Sequence, residues 1–347
     1  MVQCLRVLPL FVFAVGLLAQ DQSAPDHDAG HVPFISGGAG YVHNVNGGAP
    51  TLEPQINPVL VFPFGSHVLL ESRTDFTGFF QRENQTSGPF KGKVFKTVEY
   101  AQLDWLANSH VTAVAGKYLL PFGLYNERLQ PIWIKNLQDA PLTTTIGTRT
   151  SGAGDGLMLR GVAAQTPTLT VRYAAYASVR SGIDQLGAAR AAGFDASVFL
   201  PGARLEVGTS WQRFLQDRRI NNSATYLSWQ PAAASVDVKA EYDYSFFGHG
   251  YWLETAYRLE HTPLPKALQK VQVVGRMQEL LPLNGGGNGL PRTHTNRVDF
   301  GINYYLRDDL RLVSSYGRSL SSAQNANIWN LGLTYRFMIP LWSGGKK

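Results

Sequence analysis

The stretch SVDVKAEYDYSF, residues Ser235 to Phe246, decides the fold class. In an extended strand successive side chains point to opposite faces. Val236, Val238, Ala240, Tyr242, Tyr244 and Phe246 therefore share one face, and Asp237, Lys239, Glu241, Asp243 and Ser245 share the other. The same period of two recurs down the chain. Tyr251, Leu253 and Tyr257 oppose Glu254 and Arg258; Val298, Phe300 and Ile302 oppose Arg297, Asp299 and Asn303. Near the end, Trp329, Leu331, Leu333 and Tyr335 oppose Asn330, Thr334 and Arg336.

Extended outward, the pattern predicts sixteen strands, at 31–43, 57–63, 67–80, 92–105, 111–123, 154–165, 168–180, 191–200, 203–214, 222–230, 234–246, 250–261, 267–280, 294–306, 309–318 and 327–338. Many exceed the five or six residues typical of soluble sheets and suit a tilted membrane-crossing strand of about 9–11 residues. Short connections such as Thr166–Pro167 and Pro201–Gly202 alternate with longer ones rich in Gly or Asn, such as Asn44–Gln55 and Leu281–Thr293. The short Phe247–His249 is the exception. Short turns on one rim and long loops on the other define a transmembrane antiparallel β-barrel with both termini periplasmic. Aromatics near strand ends, including Trp105, Trp211, Trp229, Phe246 and Trp329, suit the two membrane interfaces. A β-sandwich also alternates, and a secreted sandwich that binds carbohydrate through exposed aromatics stays open as an alternative.

Composition agrees. With 35 Gly, 18 Phe, 15 Tyr and 7 Trp, the 347-residue chain is poorly suited to helical bundles, since these residues are weak helix formers. No internal apolar stretch approaches the roughly 20 residues that a spanning helix needs. The one apolar run of length, Val7 to Ala19, follows Arg6 and precedes a polar segment, the layout of an export signal over 1–19. Residues 20–347 then form a single barrel domain located in a bacterial outer membrane. Removing 1–19 takes away Cys4, the sole cysteine, which excludes a disulfide scaffold, a cysteine nucleophile and a thiolate metal site. The charge falls from +6 to +5 with the loss of Arg6. So mild an excess, without long Lys/Arg runs, gives no reason to expect a nucleic-acid partner.

A sixteen-stranded barrel is wide enough for a water-filled lumen. Its expected lining includes Arg73, Lys117, Arg160, Arg172, Lys270, Arg276, Arg297 and Arg336, set against a nearly equal number of inward acids such as Asp104, Glu206 and Asp299. A balanced lining selects weakly by bulk field, so local clusters decide. Lys117, Arg160 and Arg172 fall on three successive strands and form a candidate basic ladder for anions, with wall-stiffening ion pairs as the competing role.

The longest connection runs from Leu124 to Ala153, between the fifth and sixth strands. It is preceded by Gly116-Lys117, then Pro121-Phe122-Gly123, then Glu127. That order resembles the phosphate-selective porin (O and P type) family, in which the corresponding loop folds into the lumen and narrows it. The resemblance implies a lumen-facing Lys117, a bend at Pro121–Gly123, and Glu127, Lys135, Asp139 and Arg149 as charged members of a constriction loop over 124–153. It implies passive diffusion of small hydrophilic solutes or inorganic anions, modest anion preference, contact with outer-membrane lipid, and a homotrimer. Two departures stand out. The dense arginine ladder of a dedicated phosphate channel is missing, and Phe337 is followed by ten further residues, either a strand continuing to Trp342 or a periplasmic tail over 338–347.

Enzymatic signatures are weak. The histidines lack a metal-ligand spacing, and the Gly-rich runs at 152–156 and 285–287 lack the lysine and helix that a phosphate cradle requires. No Gly-x-Ser-x-Gly elbow occurs. The sequence therefore points to a channel that is not an enzyme and uses no cofactor or metal. A barrel hydrolase with its site on the loops is the alternative in the enzyme class.

Overall fold

The structure is a computed structural model, and it describes residues 32–84, 87–147, 152–179, 188, 190–215, 219–284 and 290–341. Sixteen strands are present: β1 Phe34–Asn46, β2 Ala49–Phe64, β3 Val68–Arg82, β4 Phe90–Leu106, β5 Thr112–Leu119, β6 Ala153–Gln165, β7 Thr170–Val179, β8 Ala191–Leu200, β9 Leu205–Phe214, β10 Ile220–Trp229, β11 Val236–Ser245, β12 Gly248–Arg258, β13 Val271–Pro282, β14 Thr295–Arg307, β15 Leu310–Ser321 and β16 Ala326–Pro340. Each pairs antiparallel with its chain neighbours, and β1 pairs with β16 to close the barrel. Closure satisfies every strand edge, which a β-sandwich does not. No described helix is long and apolar enough to cross a membrane.

Alternation sets the two faces. Val298, Phe300, Ile302, Trp329, Leu331 and Leu333 point outward and are exposed, while their neighbours Arg297, Asp299, Asn303, Asn330 and Thr334 point inward and are buried. Trp105, Trp229, Tyr244 and Trp329 stand on the outer face as expected, and Trp211 stacks on Phe194 there. Phe246 does not; it sits in the hairpin turn after β11 and packs against a buried apolar cluster.

Connections depart from the predicted alternation in two places. The predicted long loop at 44–55 is a two-residue hairpin, because Gly47 and Gly48 adopt positive φ of 57° and 88°, the geometry of a tight primed turn. The predicted short link at 262–265 is instead a twelve-residue crossing, 259–270, with a helical turn at Lys266–Gln269. This moves Lys270 out of the strand predicted for 267–280 and into the turn, where its Nζ donates to the Leu306 carbonyl at 3.2 Å. At the far end of the chain β16 continues past Phe337 to Pro340, and the Leu341 N–H donates to the Pro33 carbonyl, so both described ends meet at one rim. The export-signal residues 1–19, Arg149 and Trp342 lie outside the described residues.

The lumen is not empty. The connection between β5 and β6, described over 120–147 and at 152, leaves the opposite rim and folds inside, where its apolar side chains find apolar seats on the wall. Leu124 packs with Tyr226 and Trp252, Leu137 with Ala256 and Val274, and Phe122 and Ile146 with Ala224 and Leu280. Inward-facing apolar residues on β10 to β13 thus mark the footprint of the loop. Glycines supply clearance elsewhere. A Cβ on Gly40 would approach Ile132, one on Gly38 the Trp133 ring, and one on Gly301 Leu137.

Candidate functional site

The wall holds the inserted loop by polar contacts in nearly every sector. The bend begins at Gly123, whose φ of +64° favours glycine and whose N–H donates to Ser210 Oγ at 3.0 Å. A Cβ on Gly123 would meet the Glu241 carboxylate, which also accepts the Leu124 N–H. A single π-turn, Tyr125–Leu129, follows. Asn126 donates to the carbonyls of Leu120 and Gly152 at 2.7 and 2.8 Å, tying the two ends of the loop together.

On β13 to β16 and β1 the hub is Asp139. Its carboxylate accepts from Arg297 at 2.5 Å, Asn330 at 2.8 Å and Asn44 at 3.3 Å, and its carbonyl accepts from Arg276 at 2.9 Å. Other wall side chains grip loop carbonyls: Arg311 those of Trp133 and Lys135, Asn303 that of Asn136, and Asn222 that of Ile146. Arg73 donates to Gln130 Oε1 at 2.5 Å and stands 3.2 Å from Asp75 and 3.8 Å from Glu99.

A second cluster faces open space. Arg128 makes a two-pronged contact with Glu206 at 2.9 and 3.0 Å, and Arg172 Nη1 reaches the same carboxylate at 3.4 Å. Arg160 pairs with Asp104 at 2.5 Å and Glu127 at 3.6 Å. The side chains of Arg128, Glu127, Arg160 and Arg172 keep 31, 32, 27 and 27% of their surface accessible, so solvent reaches them inside the barrel and they are not sealed in. Three guanidinium groups face three close carboxylates here. Paired in this way, they present oriented dipoles and fixed charges of both signs, which act more strongly across a narrow, partly desolvated gap than in bulk water.

The predicted site residues thus separate into groups. Arg160, Arg172 and Glu127 come together at the passage. Arg276 and Arg297 face inward but are covered by the loop and hold it, as Arg73 does. Asp139 is the hub of that attachment, and Lys135 contributes its carbonyl to it. Arg336 sits on the inward face of β16 near the rim where the described ends meet. One position is corrected. Lys270 belongs to the turn described above. Lys117 pairs in register with Ala101 and Asp155, just after Gly116, whose φ of 117° interrupts the regular alternation of β5. It is 5% exposed and its Nζ stands 3.9 Å from Asp155, so it lines no open passage.

Arg128 is the member that sequence reasoning missed. It lies one residue beyond Glu127, and adjacent residues in a helical turn point to different sides. Its seat over the Tyr226 ring, 5.7 Å from the centroid, depends on a tertiary contact with no local signature. Among the described residues no group of three or more His, Cys, Asp or Glu side chains could hold a metal.

A closed, sixteen-stranded antiparallel barrel with its third far-rim connection folded into the lumen has the architecture of the porins. Solved structures bear this out: the chain superposes on Salmonella typhi OmpF in complex with daunomycin (TM-score 0.59, 11% identity, 88% of this chain and 97% of that one). It matches a loop-deletion mutant of OmpT, an outer membrane protein of Vibrio cholerae (0.55, 11%, 88% and 98%), and an anion-selective porin from Comamonas acidovorans (0.52, 8%, 88% and 98%). At such identities the shared property is the fold. No family model and no curated protein matches the chain.

Proposed function

We propose that the protein is a porin of a bacterial outer membrane, a water-filled channel through which small hydrophilic solutes and ions diffuse passively, and that it is not an enzyme. The observation that carries this reading is the passage beside Arg128, Arg160, Arg172 and Glu127: charged groups kept partly accessible inside a barrel whose outer face is apolar. The porin architecture of the superposed structures supports it. Residues 1–19 act as the export signal, the outer face contacts lipid, and three barrels associate as a homotrimer.

Anion preference is modest in this reading, because every arginine at the passage already faces a carboxylate. A diffusing anion competes with these carboxylates for the three guanidinium groups. A dedicated phosphate channel is not proposed, since Lys117 stands apart from the passage. Single-channel recording of the refolded protein in a planar bilayer under a salt gradient tests the proposal. Discrete steps with a reversal potential displaced toward anions are expected. A demonstrably folded barrel without conductance would refute it.

A further inference from the structure

Seven acids are buried among the described residues: Glu99, Asp104, Glu206, Glu241, Asp243, Glu254 and Asp299. Five stand within 4 Å of a basic group, supplied by Arg73, Arg128, Arg160, Arg172, Arg276 or Arg297. Glu241 and Asp243, next inward neighbours on β11, have none. A buried carboxylate without a compensating charge is costly. Repeating the compensation five times around the wall and omitting it at one adjoining pair leaves a place for a positive charge.

The surroundings specify which kind. Glu241 and Asp243 border a small cavity, with room for about one water-sized occupant, whose other walls are Phe122, Tyr125, Asn126, Thr143 and Thr144, all from the inserted loop. The Tyr125 hydroxyl and Asn126 Oδ1 find no hydrogen-bonding partner, and Asp243 is met only by Thr143 and by its fellow carboxylate Glu241. Asp243 and Thr143 are both 1% exposed, and Asn126 is 3%. The Asn126 amide is held by its two Nδ2 contacts, which fixes which atom is left over. The polar atoms left over in the cavity wall are oxygens, and no histidine, cysteine or methionine borders it.

We propose that this cavity binds a hard divalent cation of the calcium class, held by Glu241 and Asp243 from β11 and by Asn126 and Thr143 from the loop. Calcium takes six to eight oxygen ligands in a tolerant geometry, with water filling the remaining places, whereas magnesium demands a tighter octahedron. Carboxylates on the wall and neutral oxygens on the loop make the ion a clamp between them. Because the site draws on both ends of the loop, binding fixes the constriction without touching the passage.

The test uses the full refolded chain in detergent, stripped with a chelator and titrated with CaCl2 by calorimetry. One ion per chain is expected, with affinity weakened at least about tenfold in Asp243→Asn, since calcium affinity follows the charge of the ligand set. Thr143→Val, a change on the loop, is expected to weaken binding while leaving the barrel folded by heat-dependent gel mobility. In the unaltered protein, terbium chloride is expected to give luminescence sensitised through Tyr125 and quenched by added calcium. The absence of both binding heat and terbium emission would overturn the proposal and leave the carboxylates sharing a proton. Calcium binding that persists undiminished in both variants would overturn it too, by placing the ion elsewhere. Either result is independent of whether the channel conducts.

Discussion

Replacing Asp139 by alanine removes the central attachment of the inserted loop. The Arg297 contact is charge-assisted and is worth about 1.5–3 kcal/mol, and the Asn330 contact adds about 0.5–1.5 kcal/mol. The third, from Asn44 at 3.3 Å, is too long to add much. None of the donors is stranded by the change, because Arg297 keeps Asp299 at 2.7 Å, Asn330 keeps Ser315 at 3.2 Å and Asn44 keeps Asn330 at 2.7 Å. Asp139 is also 23% exposed, which weakens its charged contact by screening. The loop segment around it should therefore loosen by about 2–3 kcal/mol, which raises its open population roughly 30- to 100-fold at 1.4 kcal/mol per decade. A reporter is available next door. Leu137 is buried beneath the loop against Ala256 and Val274, so a Leu137→Cys side chain, with Cys4 replaced by serine, reacts with a small thiol reagent only when the segment lifts. The labelling rate should rise 30- to 100-fold when Asp139→Ala is added and by less with Asp139→Asn, which keeps acceptor oxygen but loses charge. A rise of less than threefold would show that the hub does not hold the loop.

Arg172→Glu and Arg160→Glu each place a negative charge at the passage, and the reversal potential of the channel in a salt gradient should move toward cations for both. The same change at Arg336, on the rim, should move it less. Arginine at an outward position near mid-strand costs about 2–4 kcal/mol in a bilayer, so Ala240→Arg, at the middle of β11 and level with Leu227 and Leu253, should reduce the folded, gel-shifted fraction while its inward neighbour Lys239→Ala should not. Gly38→Val forces a side chain into the Trp133 ring and should lower stability in urea titration by about 1–3 kcal/mol, with Ser36→Val, on the same face, as the control.

The barrel was legible in the sequence because a period of two is a local property. Each strand announces its two faces in its own residues, as 235–246 does, and sixteen repetitions fix the architecture. Lengths of connections were less legible. Gly47 and Gly48 read equally well as a mobile loop or as a hairpin, and the choice is made by the register of β1 with β2, not by the glycines. The site was half legible for the same reason. Arg160 and Arg172 follow from alternation, and both reach the passage. Lys117, expected in the lining, is buried beside Asp155, because Gly116 takes a φ of 117° and breaks an alternation that the sequence pattern assumes to be regular. Arg128, the Asp139 hub and the cavity beside Asp243 depend on where one loop lands on strands up to two hundred residues away in the chain. The landing had one readable trace, the inward apolar positions Trp252, Ala256, Val274 and Leu280, which contradict a wholly water-filled lumen.

The contacts of Arg276, Arg311, Asn303 and Asn222 share one trait: each grips a main-chain carbonyl of the loop. A carbonyl is common to all amino acids. Lys135 can thus be exchanged for another residue without loss of the Arg311 attachment, so at such points the barrel supplies a mounting indifferent to what is mounted, whereas Asp139 and Asn136 are held through their side chains. Anchorage and selectivity are then separable traits, and the charge presented to passing solutes can drift, or be redesigned, on a loop whose path stays fixed.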